Sequence, residues 1–152
     1  MRLRVALLAL FGSLAFAGAA NPASTDRCLN GLRPALVAGG FTGSVDCLND
    51  RLSVRYIGRV QKLGRTFQIY SYRYRLKPVC PECAIHGGQR IIFMESGRYV
   101  GQYRSDFVQV FTRHGDLVLV PGEPGAPVTV KFTRDGPPEW VWVGGDIIQF
   151  GR

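Results

Sequence analysis

Cys80-Pro81-Glu82-Cys83, with His86 three residues further on, is the densest grouping of chemistry-bearing side chains in the chain. Two cysteines at this spacing can exchange disulfides, hold half of a metal site, or clip a loop. Thiol exchange calls for a lowered pKa, which a helix N-terminus supplies in a βαβ setting. Here the motif follows a strand-like run and leads through Gly87-Gly88 into another, so no helix dipole is expected at either sulfur. A metal site would recruit Cys80, Cys83 and His86, with His114 or the remaining cysteines, yet no second Cys-x-x-Cys pair exists. Ala84 stands where a haem-attachment motif needs histidine. The preferred reading is a structural disulfide with no metal and no cofactor. A periplasmic thiol-disulfide or metal-binding protein centred on Cys80, Cys83 and His86 is the alternative.

Other candidates for catalysis are sparse. His86 and His114 are the only histidines, and His114 falls in a His-Gly turn. Asp116, Asp135 and Asp146 fall at turns, Glu95 at a hairpin end and Asp26 at a helix start, so no carboxylate pair is placed for separated acid and base roles. The glycines lie in hairpin turns without a following helix, which excludes a phosphate-cradling loop. No catalytic residue is expected.

Binding chemistry is better represented. Arg51 to Val60 and Thr66 to Lys77 both alternate, the second interleaving Phe67, Ile69, Tyr72, Tyr74 and Leu76 with Arg73, Arg75 and Lys77. Pairing them so that residue numbers sum to 128 sets Arg55 opposite Arg73, Ser53 opposite Arg75 and Arg51 opposite Lys77. All share one face, with Tyr72, Tyr74 and Leu76 on the other. Like charges in register are unfavourable unless solvated or countered by an anion. Arg51, Arg55, Arg73, Arg75 and Lys77 are therefore the ligand-binding candidates, weighed against a solvated outer face that keeps strands from aggregating. Trp140 and Trp142 share a face of one late strand, expected to be the core face rather than a recognition surface.

The elements that must position these residues can be read from pattern. Arg2 and Arg4, the apolar run Val5 to Phe16 and Ala17-Gly18-Ala19-Ala20 have the form of a cleaved export signal. Twelve helical residues reach about 18 Å, short of the roughly 30 Å of bilayer hydrocarbon, so no membrane span is expected once it is removed. Cleavage after Ala20 leaves 132 of the 152 residues, with 17 basic side chains against 11 acidic, a charge of +6. That balance favours anionic partners; nucleic acid is not expected, because an exported protein rarely meets it. Four cysteines in an oxidising compartment permit three connectivities, of which Cys28–Cys47 with Cys80–Cys83 is preferred.

Within residues 21–50, Ser24-Thr25-Asp26 offers helix caps ahead of Leu29, Leu32 and Leu36, and Gly31 and Pro34 split the segment into one kinked or two short helices ending at Gly39-Gly40. Residues 51–152 read as strands joined by dipeptides ending in glycine: Ser96-Gly97, His114-Gly115 and Gly144-Gly145. Two-residue loops pair Glu95 with Arg98, Phe93 with Val100, Arg113 with Asp116 and Phe111 with Val118. The expected fold is mainly β: an antiparallel meander of eight or nine short strands, as a twisted open sheet or small barrel. The helical segment packs on it, and residues 21–152 form one globular domain. The function this implies is a periplasmic or secreted, non-catalytic binding or inhibitor-like protein, its partner an anionic envelope component or another exported protein.

Overall fold

The computed structural model describes residues 27–48, 51–78, 80–106, 108–122 and 125–152. The expected export signal and the expected Ser24-Thr25-Asp26 cap lie outside the described residues. A 3-10 turn (Arg27–Leu29) and a six-residue helix α1 (Arg33–Ala38) come first. They are separate because Asn30 and Gly31 adopt positive φ; Pro34 then sits in the first turn of α1, where its missing N–H costs nothing. Nine strands follow: β1 (Arg51–Lys62), β2 (Arg65–Arg75), β3 (Gly87–Glu95), β4 (Arg98–Ser105), β5 (Gln109–Arg113), β6 (Asp116–Val120), β7 (Val128–Thr129), β8 (Trp140–Val143) and β9 (Asp146–Gly151).

All the pairings are antiparallel. Leu63-Gly64, Ser96-Gly97, His114-Gly115 and Gly144-Gly145 each carry positive φ at both residues, the hairpin turn whose twist matches its strands. The order in the larger sheet is β1-β2-β3-β4-β9-β8, and β5-β6-β7 form a second sheet. The chain thus leaves the first sheet after β4 and returns with β9 against β4.

Registers agree with the sequence at Glu95–Arg98, Arg113–Asp116 and Phe111–Val118. Two others differ, both through a glycine inside a strand. Phe93 lies opposite Gly101, not Val100, because β4 carries a bulge there. In β1 a bulge between Tyr56 and Gly58 sets the register sum to 126 on the Arg51 side, in place of 128. Gly58 and Gly101 have φ of +151° and +153°, a backbone that side chains disfavour, and a Cβ on either would strike Thr112 or the Phe150 ring.

The central strands are buried on both faces. Phe67 and Ile69 of β2, Ile91 and Phe93 of β3 and Tyr103 of β4 pack with Val110, Leu117 and Leu119 of the second sheet and Val141 and Ile148 of β8–β9. On the opposite face Tyr70, Tyr72, Ile92, Met94 and Tyr99 pack under Leu29, Leu36 and the partly buried Phe41 of the N-terminal segment. Trp140 and Trp142 share a face as expected, but it is the outer one: each is 55% exposed, while Val141 and Val143 fill the core. The strand's alternation is clear from sequence; which half of it faces inward is not, since valine and tryptophan are both apolar.

Candidate ligand-binding cleft at the end of the larger sheet

Arg51, Arg55, Arg73 and Arg75 stand on one face of the β1–β2 hairpin at its open end, and all are exposed. The altered register places Arg51 opposite Arg75, Ser53 opposite Arg73 and Arg55 opposite Ser71. Lys77 lies past the end of β2, its ammonium 3.5 Å from the Leu48 carbonyl, so it is not opposite Arg51. Leu76 also lies past the strand, whereas Tyr72 and Tyr74 occupy the opposite face as expected. Among the described residues no carboxylate forms an ion pair with any of these five cations.

The basic face continues across the sheet. Ser53, Arg73, Gln89 and Ser105 are successive register partners on β1, β2, β3 and β4, a polar row spanning about 14 Å at the usual strand spacing. Gln89 and Ser105 are 2% and 7% exposed. Gln89 donates from Nε2 to Ser71 Oγ at 3.0 Å, while its Oε1 and the Ser105 hydroxyl have no partner. A buried polar group without a protein partner is costly in a finished core, so each of these calls for water or another polar partner.

That row ends in a cleft of about 560 Å³. Its origin is topological. Strands β4 and β9 pair only at Gln102–Gly151 and Tyr103–Phe150 and then diverge, leaving space between Arg104-Ser105-Asp106 on one side and Asp146-Ile147-Ile148 on the other. Arg90 of β3, directly opposite Arg104, lines the same space. Arg90 is held by cation–π contacts at 5.4 Å to Phe41 and 5.9 Å to Tyr74. The buried Tyr99 hydroxyl nearby is pushed up to about 12 by desolvation, against the opposing pull of Arg90 and Arg104.

Cys80 and Cys83 are joined in one disulfide and Cys28 and Cys47 in the other, with Cα separations of 5.1 and 5.9 Å. The Cys80–Cys83 clip lies between β2 and β3 in a loop without a helix, and His86 beside it is exposed. Among the described residues no group of three or more metal-ligating side chains comes together, and no helix is long and apolar enough to cross a membrane. His114 occupies its turn, exposed.

Sequence reasoning missed Arg90, Gln102, Arg104, Gln89 and Ser105. The signal available was Gly101. A glycine inside an alternating run marks a bulge, and without the extra residue Arg104 falls on the opposite face from Arg90. No family model, curated protein or solved structure matches this chain, so its function is argued from geometry.

Proposed function

We propose that this protein is an exported, non-catalytic binding domain that presents a rigid cationic sheet end to an anionic envelope component. The observation that carries this reading is the face bearing Arg51, Arg55, Arg73 and Arg75, exposed and without ion-pair partners among the described residues. Arg51 directly faces Arg75, an arrangement that destabilises a hairpin by roughly 0.2–1 kcal/mol unless an anion or solvent offsets it. The pairing of β1 with β2 fixes where these side chains leave the backbone.

Retention on polyanionic beads across a salt gradient tests it. The triple variant Arg55→Ser, Arg73→Ser, Arg75→Ser should elute at lower salt than a variant of equal net charge carrying Arg27→Ser, Arg59→Ser and Arg134→Ser. Equal elution of the two would reduce the effect to net charge and end the proposal. Screening limits the attraction to about 10 Å at 0.1 M salt, so a specific face must show itself as a difference between matched variants.

A further inference from the structure

The cleft carries an observation independent of the basic strand ends. Arg90 and Arg104 are held directly opposite each other, and among the described residues neither has an ion-pair partner. Both aim at one neutral oxygen. Arg90 Nη1 lies 3.0 Å and Arg104 Nη2 3.1 Å from Thr42 Oγ1, with Gln102 Nε2 also at 3.1 Å. A hydroxyl has two acceptor lone pairs, fewer than the three donors it faces. Even with the Gln102 amide turned to accept from the hydroxyl, two guanidiniums share one uncharged oxygen. Arg90 Nε and the Tyr99 hydroxyl are buried without partners beside them. An oxyanion offers several acceptor sites and the missing charge, which is what planar guanidinium donors are suited to bind.

The surroundings say what the anion is attached to. Ile147 forms a lip of the same cleft and lies directly opposite Trp142. Trp140, Trp142 and Ile147 are each 55% exposed on the outer face of β8 and β9. Alternate residues of a strand are about 6.7 Å apart, so the two exposed indoles form a short apolar strip along β8. Such a strip suits the C–H face of a sugar ring, an apolar surface rimmed by hydroxyls. Polar residues for those hydroxyls also line the cleft: Asp106 and Asp146, and Gln89 and Ser105, whose Oε1 and Oγ have no partner and which face the opposite side of the sheet from Arg90 and Arg104.

We propose that the cleft between β4 and β9 binds an acidic saccharide, its carboxylate or sulfate on Arg90 and Arg104 and its rings against Trp142 and Trp140. Titration of the disulfide-intact mature chain, followed by tryptophan emission and calorimetry, tests this. The probes are tetragalacturonate, a heparin-type sulfated tetrasaccharide, neutral maltotetraose and sodium sulfate. One acidic oligosaccharide should bind at least 10-fold more tightly than maltotetraose and change the indole emission; which one does so separates carboxylate from sulfate recognition. Arg90→Gln and Arg104→Gln should each weaken it at least 10-fold, and Trp142→Ala at least 5-fold. Thr42→Val frees both guanidiniums and should hold or raise affinity, which guards against loss through misfolding. The strand-end variant Arg55→Ser, Arg73→Ser, Arg75→Ser should stay within about 3-fold, so the two sites fail separately.

Equal affinity for maltotetraose, or no binding by either acidic oligosaccharide, would overturn the assignment. So would sulfate alone matching the oligosaccharide while Trp142→Ala has no effect, which would leave a bare anion site.

Discussion

Arg65 and Glu95 meet through two parallel hydrogen bonds, Nε to Oε1 at 2.7 Å and Nη2 to Oε2 at 2.6 Å. The bond from Arg65 holds the Glu95 carboxyl below its ordinary range, against the smaller opposing effect of desolvation. A carboxylate lowered in the folded state binds fewer protons there than in the unfolded chain. Its stabilisation is therefore complete above the unfolded pKa and is lost as pH falls through the folded value. Side chains 33% and 24% exposed limit the pair to about 1 kcal/mol. Glu95→Gln should lower the melting temperature at pH 7, and the gap from the parent should narrow as pH drops below about 4, the ordinary glutamate range; a gap that does not narrow as pH falls would mean packing, not charge. The hairpin register placing Glu95 opposite Arg98 is legible in the sequence, but the ion pair is not. Glu95 reaches sideways to β2, and Asp116 likewise pairs with Lys62 of β1 at 2.8 Å, not with Arg113 across its own turn. Lateral neighbours depend on how hairpins associate, which local pattern does not encode. The Thr42 cluster is hidden for the same reason, since it joins a loop to two strands 48 to 62 residues away.

At the scale of elements, turns are marked by two residues and bulges by a single glycine. Dipeptides ending in glycine locate four hairpins because both residues of such a turn need positive φ. Gly101 is the bulge's one mark in the sequence, and taking it for an ordinary strand residue displaces everything after it. Its bulge rotates β4 so that Gln102 and Arg104 join Tyr99 on the face of Arg90, while Tyr103 turns into the core. A side chain at this position meets two obstacles: φ of +153°, and the Phe150 ring with the Gly151 carbonyl 2.8 Å from the new Cβ. Gly101→Val should cost about 2–4 kcal/mol in urea unfolding. Gly64→Ala, in a turn with open space around the new Cβ, should cost about 1–2 kcal/mol from backbone conformation alone. Equal losses would show that the close contact with β9 does not constrain β4. If the Gly101→Val substitution forces the bulge out, Arg104 turns away from Arg90, and the variant should lose acidic-saccharide binding even where it remains folded.

For the molecule as a whole, the decisive feature is that the larger sheet needs a cover on each face. The second sheet supplies one, and Val141 and Ile148 of the larger sheet's own β8 and β9 pack into the same core. The other comes from residues 27–48, whose six-residue helix is far too short to be stable alone. Leu29 and Leu36, fully buried, and Phe41, edge-on to Tyr72 and Tyr99 at 5.3 and 5.6 Å, shield tyrosines that would otherwise face water. Cys28–Cys47 ties the two ends of this cover together across 19 residues, a closure of about 3 kcal/mol by chain entropy, against about 2 kcal/mol for Cys80–Cys83. The cysteine pairing and the broken helix are legible from spacing. That the segment packs on the sheet is an expectation from sequence too; which residues it covers is not, because β2 alternates apolar residues with tyrosines that suit either a wet or a dry face. Replacing Cys28 and Cys47 by serine should therefore do more than lower stability by about 3 kcal/mol: the variant should bind a hydrophobic dye such as ANS through the uncovered Tyr70, Tyr72 and Met94. The Cys80→Ser, Cys83→Ser variant should lose less and bind no dye, since Pro81, Glu82 and Ala84 are exposed already. Dye binding by both, or by neither, would mean that the disulfide does not hold the cover in place. Phe41, whose cation–π contact holds Arg90, is carried by the same cover, so the Cys28–Cys47 variant should also bind the acidic saccharide less tightly, although no cysteine lines the cleft.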